Sequence, residues 1–226
     1  MQAQNNCRYE RKFSMVGMEQ SRVRSLILHH PAMFYEPYPP RYVNNIYFDT
    51  PGMDHYDDNI SGSANRGKVR LRWYHDLCGV VDDAVLEFKN KRGWVGWKEN
   101  YRFPSFSFDT ELTQRKLINL IEGSDLPAPI IERMHMYQFA LVNRYYREYY
   151  ATRDERFRVT LDRDLKYYRV RRLSNSLSAC AVDHHIVVVE LKYDVKHELE
   201  AQRIASMFPF RITRSSKYVR GIEHFL

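Results

Sequence analysis

Charged residues recur at every second position in five separate segments of this chain, and that period constrains the fold more than any other feature. The segments are Glu10-x-Lys12, Lys68-x-Arg70-x-Arg72, Glu87-x-Lys89-x-Lys91, Arg156-x-Arg158 and Glu190-x-Lys192. A period of two belongs to a β-strand, whose successive side chains point to opposite faces. The alternate positions are apolar: Val69, Leu71 and Trp73 in one segment, Leu86 and Phe88 in another, Val189, Leu191 and Tyr193 in a third. An antiparallel sheet with a wet outer face accounts for any one of these strands. Five with the same habit fit a closed barrel whose charged faces turn inward while the apolar faces pack outward against helices.

The rest of the chain agrees with such a sheet. Strands are expected over Tyr9–Phe13, Tyr42–Asp49, Lys68–Tyr74, Ala84–Lys91, Trp97–Phe103, Asn143–Thr152, Phe157–Asp162, Asp164–Arg172 and His185–Asp194. Helical spacing appears over Met18–His30, from about Asp109 or Thr110 to Gly123, after Pro127 to near Phe139, and over His197–Met207. Strands separated by turns more often than by helices argue for an antiparallel α+β fold, a β-barrel with flanking helices. No repeat or linker divides the 226 residues, so one domain spanning 1–226 is expected.

Lys and Arg number 35 against 28 Asp and Glu, a net charge of +7, and 25 of the basic residues are Arg. The planar guanidinium matches phosphate oxygens and stays charged when desolvated, so the partners to consider are nucleic acid, a membrane surface or a phosphorylated small molecule. Carboxylates alone would repel phosphate. Their place among the basic residues therefore implies a divalent cation that accompanies the anion.

Several chemistries are set aside. Cys7, Cys78 and Cys180 are odd in number and far apart, so neither a disulfide framework nor a CxxC knuckle is available, and Cys180 is expected to be a core thiol. His29-His30 and His184-His185 are adjacent pairs whose side chains diverge, which suits surface or turn positions better than one metal ion. Gly62–Val69 nearly matches a phosphate-binding loop but ends in Val and leads into a strand. There is no GxSxG elbow, no bilayer-length apolar run and no signal-peptide core, and a cytoplasmic, reduced setting is expected. With 32 aromatic residues the chain has material for a real core and is not a disordered basic tail.

In order along the chain stand Tyr9-Glu10-Arg11-Lys12-Phe13, Ile46-Tyr47-Phe48-Asp49-Thr50-Pro51, Lys68-Val69-Arg70-Leu71-Arg72, Leu86-Glu87-Phe88-Lys89, Tyr145-Tyr146-Arg147, Arg158-Val159-Thr160-Leu161-Asp162, Glu190-Leu191-Lys192 and Ser216-Lys217-Tyr218. Together they resemble the VTC (vacuolar transporter chaperone) domain, the polyphosphate polymerase branch of the triphosphate tunnel metalloenzymes, a CYTH-like superfamily. The resemblance implies an antiparallel β-barrel tunnel in which basic residues bind triphosphate or polyphosphate and glutamate holds Mn²⁺ or Mg²⁺. By matching positions, Lys12, Arg70, Arg72, Lys89, Arg147, Arg158, Lys192, Arg214 and Lys217 would bind phosphate. Glu190 would be the principal metal ligand, with Glu10 and Glu87 as further ones on strand parity. Lys12, Arg70, Arg72, Lys89, Arg147, Arg158, Glu190 and Lys217 would form the catalytic set.

The implied activity is metal-dependent transfer of the γ-phosphate of ATP to a growing polyphosphate chain. That chemistry needs alignment and charge neutralisation more than a protein nucleophile. Two alternatives stay open: a triphosphatase that delivers the phosphate to water, and a non-enzymatic module that binds polyphosphate or nucleic acid. Set against larger family members, an N-terminal phosphate-sensing domain and transmembrane helices are not expected in this chain. The expected partners are therefore ATP and polyphosphate or triphosphate, with a separately encoded membrane partner as an option.

Overall fold

In a computed structural model of the protein, residues 8–93, 95–170, 177 and 180–226 are described. Cys7 and the Arg171–Arg172 end of one expected strand lie outside them. The elements begin with β1 (Arg8–Val16), α1 (Gln20–Leu28), β2 (Arg41–Asp49), α2 (Asp54–Ser61), β3 (Asn65–Tyr74) and β4 (Gly79–Val81). Next come β5 (Val85–Arg92), β6 (Val95–Arg102), β7 (Phe106–Phe108), α3 (Gln114–Glu122) and α4 (Ala128–His135). The chain continues through β8 (Gln138–Ala151), β9 (Phe157–Arg169), β10 (Cys180–Asp183) and β11 (Ile186–Asp194), then α5 (Glu198–Met207) and α6 (Lys217–Glu223). The architecture is α+β and the registered strand pairs are antiparallel. Among the described residues no helix is long and apolar enough to cross a membrane.

The chain forms two compact units, and β8 and β9 contribute residues to both. The first comprises the described part of Met1–Arg41 with Tyr145–Leu165 and Asp183–Ser215. Its strands are ordered β1, β11, β9, β8. Phe13, Val189 and Leu161 lie opposite one another across three of them, as do Leu191 and Val159. These side chains pack with Val23 and Ile27 of α1 and with Ala201 and Ile204 of α5. Each such large apolar side chain contributes about 1.5–3 kcal/mol by leaving water. His30, expected at the surface, instead lies in this core, 5.4 Å from the Phe34 ring and 4.3 Å from the Phe208 ring. Both ring nitrogens are satisfied: Nδ1 accepts from the Ala32 N–H at 3.0 Å and Nε2 donates to the Ile204 carbonyl at 3.1 Å. A histidine with two backbone partners behaves as a core residue.

The second unit comprises Tyr42–Arg144, Lys166–Val182 and Ser216–Leu226. Its strands follow the order β8, β2, β3, β5, β6, with β4 and β7 paired separately. Val69, Leu71 and Trp73 of β3 and Leu86 and Phe88 of β5 pack with Phe103, Phe106, Phe108, Leu117 of α3 and Ile130 of α4. The Thr113 hydroxyl caps α3 by accepting from the Lys116 N–H, and Pro127 leads into α4. Cys180, expected in the core, is exposed in β10, and Cys78 is exposed as well.

Expectations of local structure change in several places. The helical stretch expected to run to near Phe139 stops at His135, because Gln138 and Phe139 already belong to β8. Phe157–Asp162 and the segment from Asp164 onward form one strand, β9, because Asp164 adopts φ 53° and the chain stays in the sheet past it. Aspartate is among the few non-glycine residues that adopt this region readily. Helix α2 was not expected, since Asp54–Ser61 carries no apolar stripe and buries no residue.

Candidate functional site

Each unit carries one charged sheet face, and strand register assembles it. In the first unit Lys12 of β1, Glu190 of β11 and Thr160 of β9 lie in one row. On one side of that row stand Glu10, Lys192 and Arg158; on the other stand Ser14, Val188 and Asp162. Side chains two apart share a face, so these rows form one surface opposite the Phe13–Val189–Leu161 core.

Glu190, only 5% exposed, is the hub of this face. It receives Lys12 Nζ at 3.1 Å, Lys192 Nζ at 3.0 Å and the Arg147 guanidinium at 3.8 Å. Lys12 also reaches Glu10 at 3.2 Å. Burial works to depress the Lys12 ammonium, but Glu190 and Glu10 outweigh it and hold its pKa above the ordinary lysine range. Arg147 is fixed from its other side by Asp162, which is 0% exposed and accepts from Nε at 2.5 Å and from a terminal nitrogen at 2.7 Å. The Tyr145 ring packs 5.2 Å from the same guanidinium. Burial opposes the charge, while Asp162, Tyr145 and Glu190 raise the Arg147 pKa well above the free value.

Lys12, Glu10, Glu190, Lys192 and Arg147 are thus brought together. Arg158 shares the face but is half exposed and pairs with Glu155 at 3.6 Å. Arg214 is exposed, next to Thr213, whose N–H donates to the Lys12 carbonyl at 2.8 Å and whose hydroxyl accepts from the Ser14 N–H at 2.9 Å.

In the second unit one row runs Tyr47, Arg70, Glu87, Asn100 across β2, β3, β5 and β6. The adjoining rows are Asn45, Arg72, Val85, Arg102 and Lys68, Lys89, Lys98. Glu87, 4% exposed, accepts from Arg70 Nε and Lys98 Nζ and lies 3.9 Å from Arg72. Burial pushes the Glu87 carboxyl up, yet Arg70, Arg72 and Lys98 outweigh it and hold the pKa well below the usual carboxylate range. Lys98 is depressed, first by burial and further by Arg70 and Arg72, despite its contact with Glu87. Arg72 is oriented by Asn45, whose Oδ1 accepts from Nε at 2.9 Å and whose amide donates to Asn143 at 2.8 Å. Lys89 is exposed on this face. Lys217 opens α6 beside Ser216, which caps that helix and accepts from Lys68 Nζ at 2.9 Å.

Asp162, Thr160, Lys98 and Asn45 were not among the expected site residues, although Thr160 and Asp162 stand in the Arg158–Asp162 motif. The same parity rule reaches Lys98 through Gly96-x-Lys98-x-Asn100-x-Arg102, and Asp162 through Arg158-x-Thr160-x-Asp162. In both runs neutral residues dilute the charge alternation.

Among the described residues no group of three or more His, Cys, Asp or Glu stands ready to hold a metal ion. Glu190 and Glu10 nevertheless flank a single ammonium, that of Lys12. Two carboxylates on one face could contribute to holding Mg²⁺ or Mn²⁺ that takes its remaining oxygens from a ligand and water, as Mg²⁺ commonly does. They do not make a dedicated protein cage. The carboxylate of Glu87 is instead taken up by Arg70 and Lys98.

The VTC domain model matches residues 7–226. No curated protein matches the chain significantly. Among solved structures, a Vibrio parahaemolyticus protein described as a candidate adenylate cyclase superposes with a TM-score of 0.53 at 13% identity, covering 94% of this chain and 97% of that one. A Hippeastrum adenylyl cyclase candidate, described as having a dominant triphosphatase activity, gives 0.52 at 16% identity with 96% of each chain covered. A Pyrococcus horikoshii OT3 protein gives 0.50 at 12% identity, covering 96% and 99%. At these identities the likeness is one of fold. A family match over nearly the whole length, on an antiparallel α+β fold shared with CYTH-type triphosphate tunnel proteins, establishes that the chain belongs to the VTC domain family.

Proposed function

We propose that the protein is a Mn²⁺- or Mg²⁺-dependent polyphosphate polymerase that transfers the γ-phosphate of ATP to the end of a phosphate chain. The observation that carries this reading is the Glu190 cluster, where Lys12, Lys192 and Arg147 converge on one buried carboxylate. Lys12, Lys192 and Arg147 are balanced by Glu190, Glu10 and Asp162, so a divalent cation taken up by Glu190 and Glu10 would release the two ammonium groups for an anion, and family membership supports phosphate as that anion.

Lys12 and Lys192 bind phosphate oxygens, and Arg147, locked by Asp162, holds a planar fork in a fixed direction. Arg70 and Arg72 act alike on the second face, oriented by Glu87 and Asn45. A terminal oxygen of the acceptor chain attacks the γ-phosphorus, the bond to the β–γ bridging oxygen breaks, and ADP leaves with that electron pair. The chain's own residues align the two anions and neutralise their charge, which is most of what phosphoryl transfer requires. A divalent cation, held by Glu190 with Glu10, would supply further neutralisation of the phosphate oxygens.

The competing reading is hydrolysis, in which water replaces the chain end as acceptor. It draws support from the Hippeastrum protein, whose fold is similar and whose described activity is that of a triphosphatase. Incubation with ATP and Mn²⁺ separates the two. Long chains resolved on a gel are expected, and E190Q is expected to abolish them. Orthophosphate alone with every metal would replace the polymerase reading by the hydrolytic one, and binding without turnover would leave a non-enzymatic module.

A further inference from the structure

We infer that the Thr160 hydroxyl, assisted by that of Ser14, is a further phosphate-binding group of the first unit's charged face, donating to an oxygen of a triphosphate-class ligand. The inference rests on the phosphate-binding reading of that face. Buried hydroxyls are normally hydrogen-bonded, and exceptions call for a cause. Thr160 Oγ1 and Ser14 Oγ are buried atoms with no partner among the described residues, and Thr160 as a whole is 7% exposed. Among the described residues, several other buried polar groups of this unit are satisfied. Asp162 takes two bonds from Arg147, Glu148 accepts from Tyr150 and Arg163, and the Thr152 hydroxyl meets Asp154.

Both unsatisfied hydroxyls stand on the one face where cations gather. Thr160 lies opposite Glu190, which lies opposite Lys12; Ser14 is two residues along β1 from Lys12. The Ser14 N–H is engaged with Thr213, so only its hydroxyl is left over. Valine would fill the Thr160 site with nearly the same shape and no unsatisfied oxygen, so a threonine with no protein partner costs stability when the site is empty. A phosphate that draws Lys12 and Lys192 away from Glu190 enters the row of Thr160, where the hydroxyl can donate to it.

The test compares wild type, T160V and T160S by titration with tripolyphosphate and Mn²⁺ and by thermal melting without ligand. The expected result is a T160V protein at least as heat-stable as wild type, with tripolyphosphate affinity lower by about tenfold, the size of one hydrogen bond to a charged group. T160S, which restores the hydroxyl, is expected to bind within about threefold of wild type. Wild type and T160V binding equally would overturn the inference and leave the phosphate reading standing. A T160V protein that is less stable, or weak binding that T160S does not rescue, would assign the hydroxyl a structural role and overturn it too. Wild type failing to bind tripolyphosphate would remove both.

Discussion

The Tyr218 phenol donates to the Asp49 carboxylate, joining two residues 169 positions apart at a fully buried aspartate. Asp49 also accepts from the backbone N–H groups of Thr50 at 2.8 Å, His55 at 2.9 Å and Tyr56 at 2.9 Å. One side chain thus satisfies the start of α2 and anchors α6, whose first residue is Lys217. Burial, then Asp49, raise the Tyr218 pKa far above the ordinary tyrosine value, so the phenol stays a donor at any working pH. Y218F is expected to lose about 1.5–3 kcal/mol, the range for a hydrogen bond to a charged group. D49A should lose more, because three backbone donors are orphaned together. Urea unfolding measures both, and a silent Y218F would show that packing alone holds α6.

The Arg147–Asp162 pair is bidentate and almost wholly removed from water. Removing Arg147 strips the buried Asp162 carboxylate of its bidentate partner. R147A is therefore expected to cost about 3–5 kcal/mol, while R147A/D162N should recover part of that loss. Both variants should bind tripolyphosphate more weakly than wild type, because neither presents the guanidinium. Recovered stability without recovered affinity is the discriminating outcome. Full affinity in R147A/D162N would remove Arg147 from the phosphate-binding set.

Much of the two charged faces was legible because strand parity is a strict rule. Once Lys68, Arg70 and Arg72 alternate with Val69, Leu71 and Trp73, the side on which each lies follows. Which carboxylate meets which cation depends on register between strands far apart in sequence, and alternation within one strand carries no such information. Lys12 opposite Glu190 is a case in point. Asp162 and Lys98 were hidden because Thr160, Gly96 and Asn100 interrupt the charge pattern. Helix α2 was illegible for a different reason: its stability comes from Asp49, outside the helix, and not from an amphipathic stripe.

Glu87 links stability of the second unit to pH. Its folded pKa is held below the unfolded carboxylate value of about 4.3 by Arg70, Arg72 and Lys98. A depressed acid contributes stability that is complete above the unfolded pKa and is lost as pH falls through the folded one. E87Q is therefore expected to be less stable than wild type at pH 7, by about 3 kcal/mol, and the gap should narrow as pH falls from about 5 to 2. Urea midpoints of both proteins across that range test it. A gap independent of pH would mean that Glu87 acts through shape and not through charge.

Lys68, Lys89 and Lys98 lie directly opposite one another on three adjacent strands. Like charges in that arrangement destabilise a sheet by about 0.2–1 kcal/mol for each pair. Lys98 turns to Glu87 and Lys68 to Ser216, and Lys89, which is exposed, stands between them. The row's like charge opposes folding, and a polyanion lying along it would offset that repulsion. K89Q is accordingly expected to raise the melting temperature without ligand by about 1–4 °C for a chain of this size. Saturating tripolyphosphate should raise wild type further than K89Q, because stabilisation by a ligand follows its affinity for the folded state. Melting curves with and without tripolyphosphate give both quantities. An equal ligand-induced rise in the two proteins would take Lys89 out of the phosphate path, and a lower melting point for unliganded K89Q would show that like-charge repulsion does not dominate at this position.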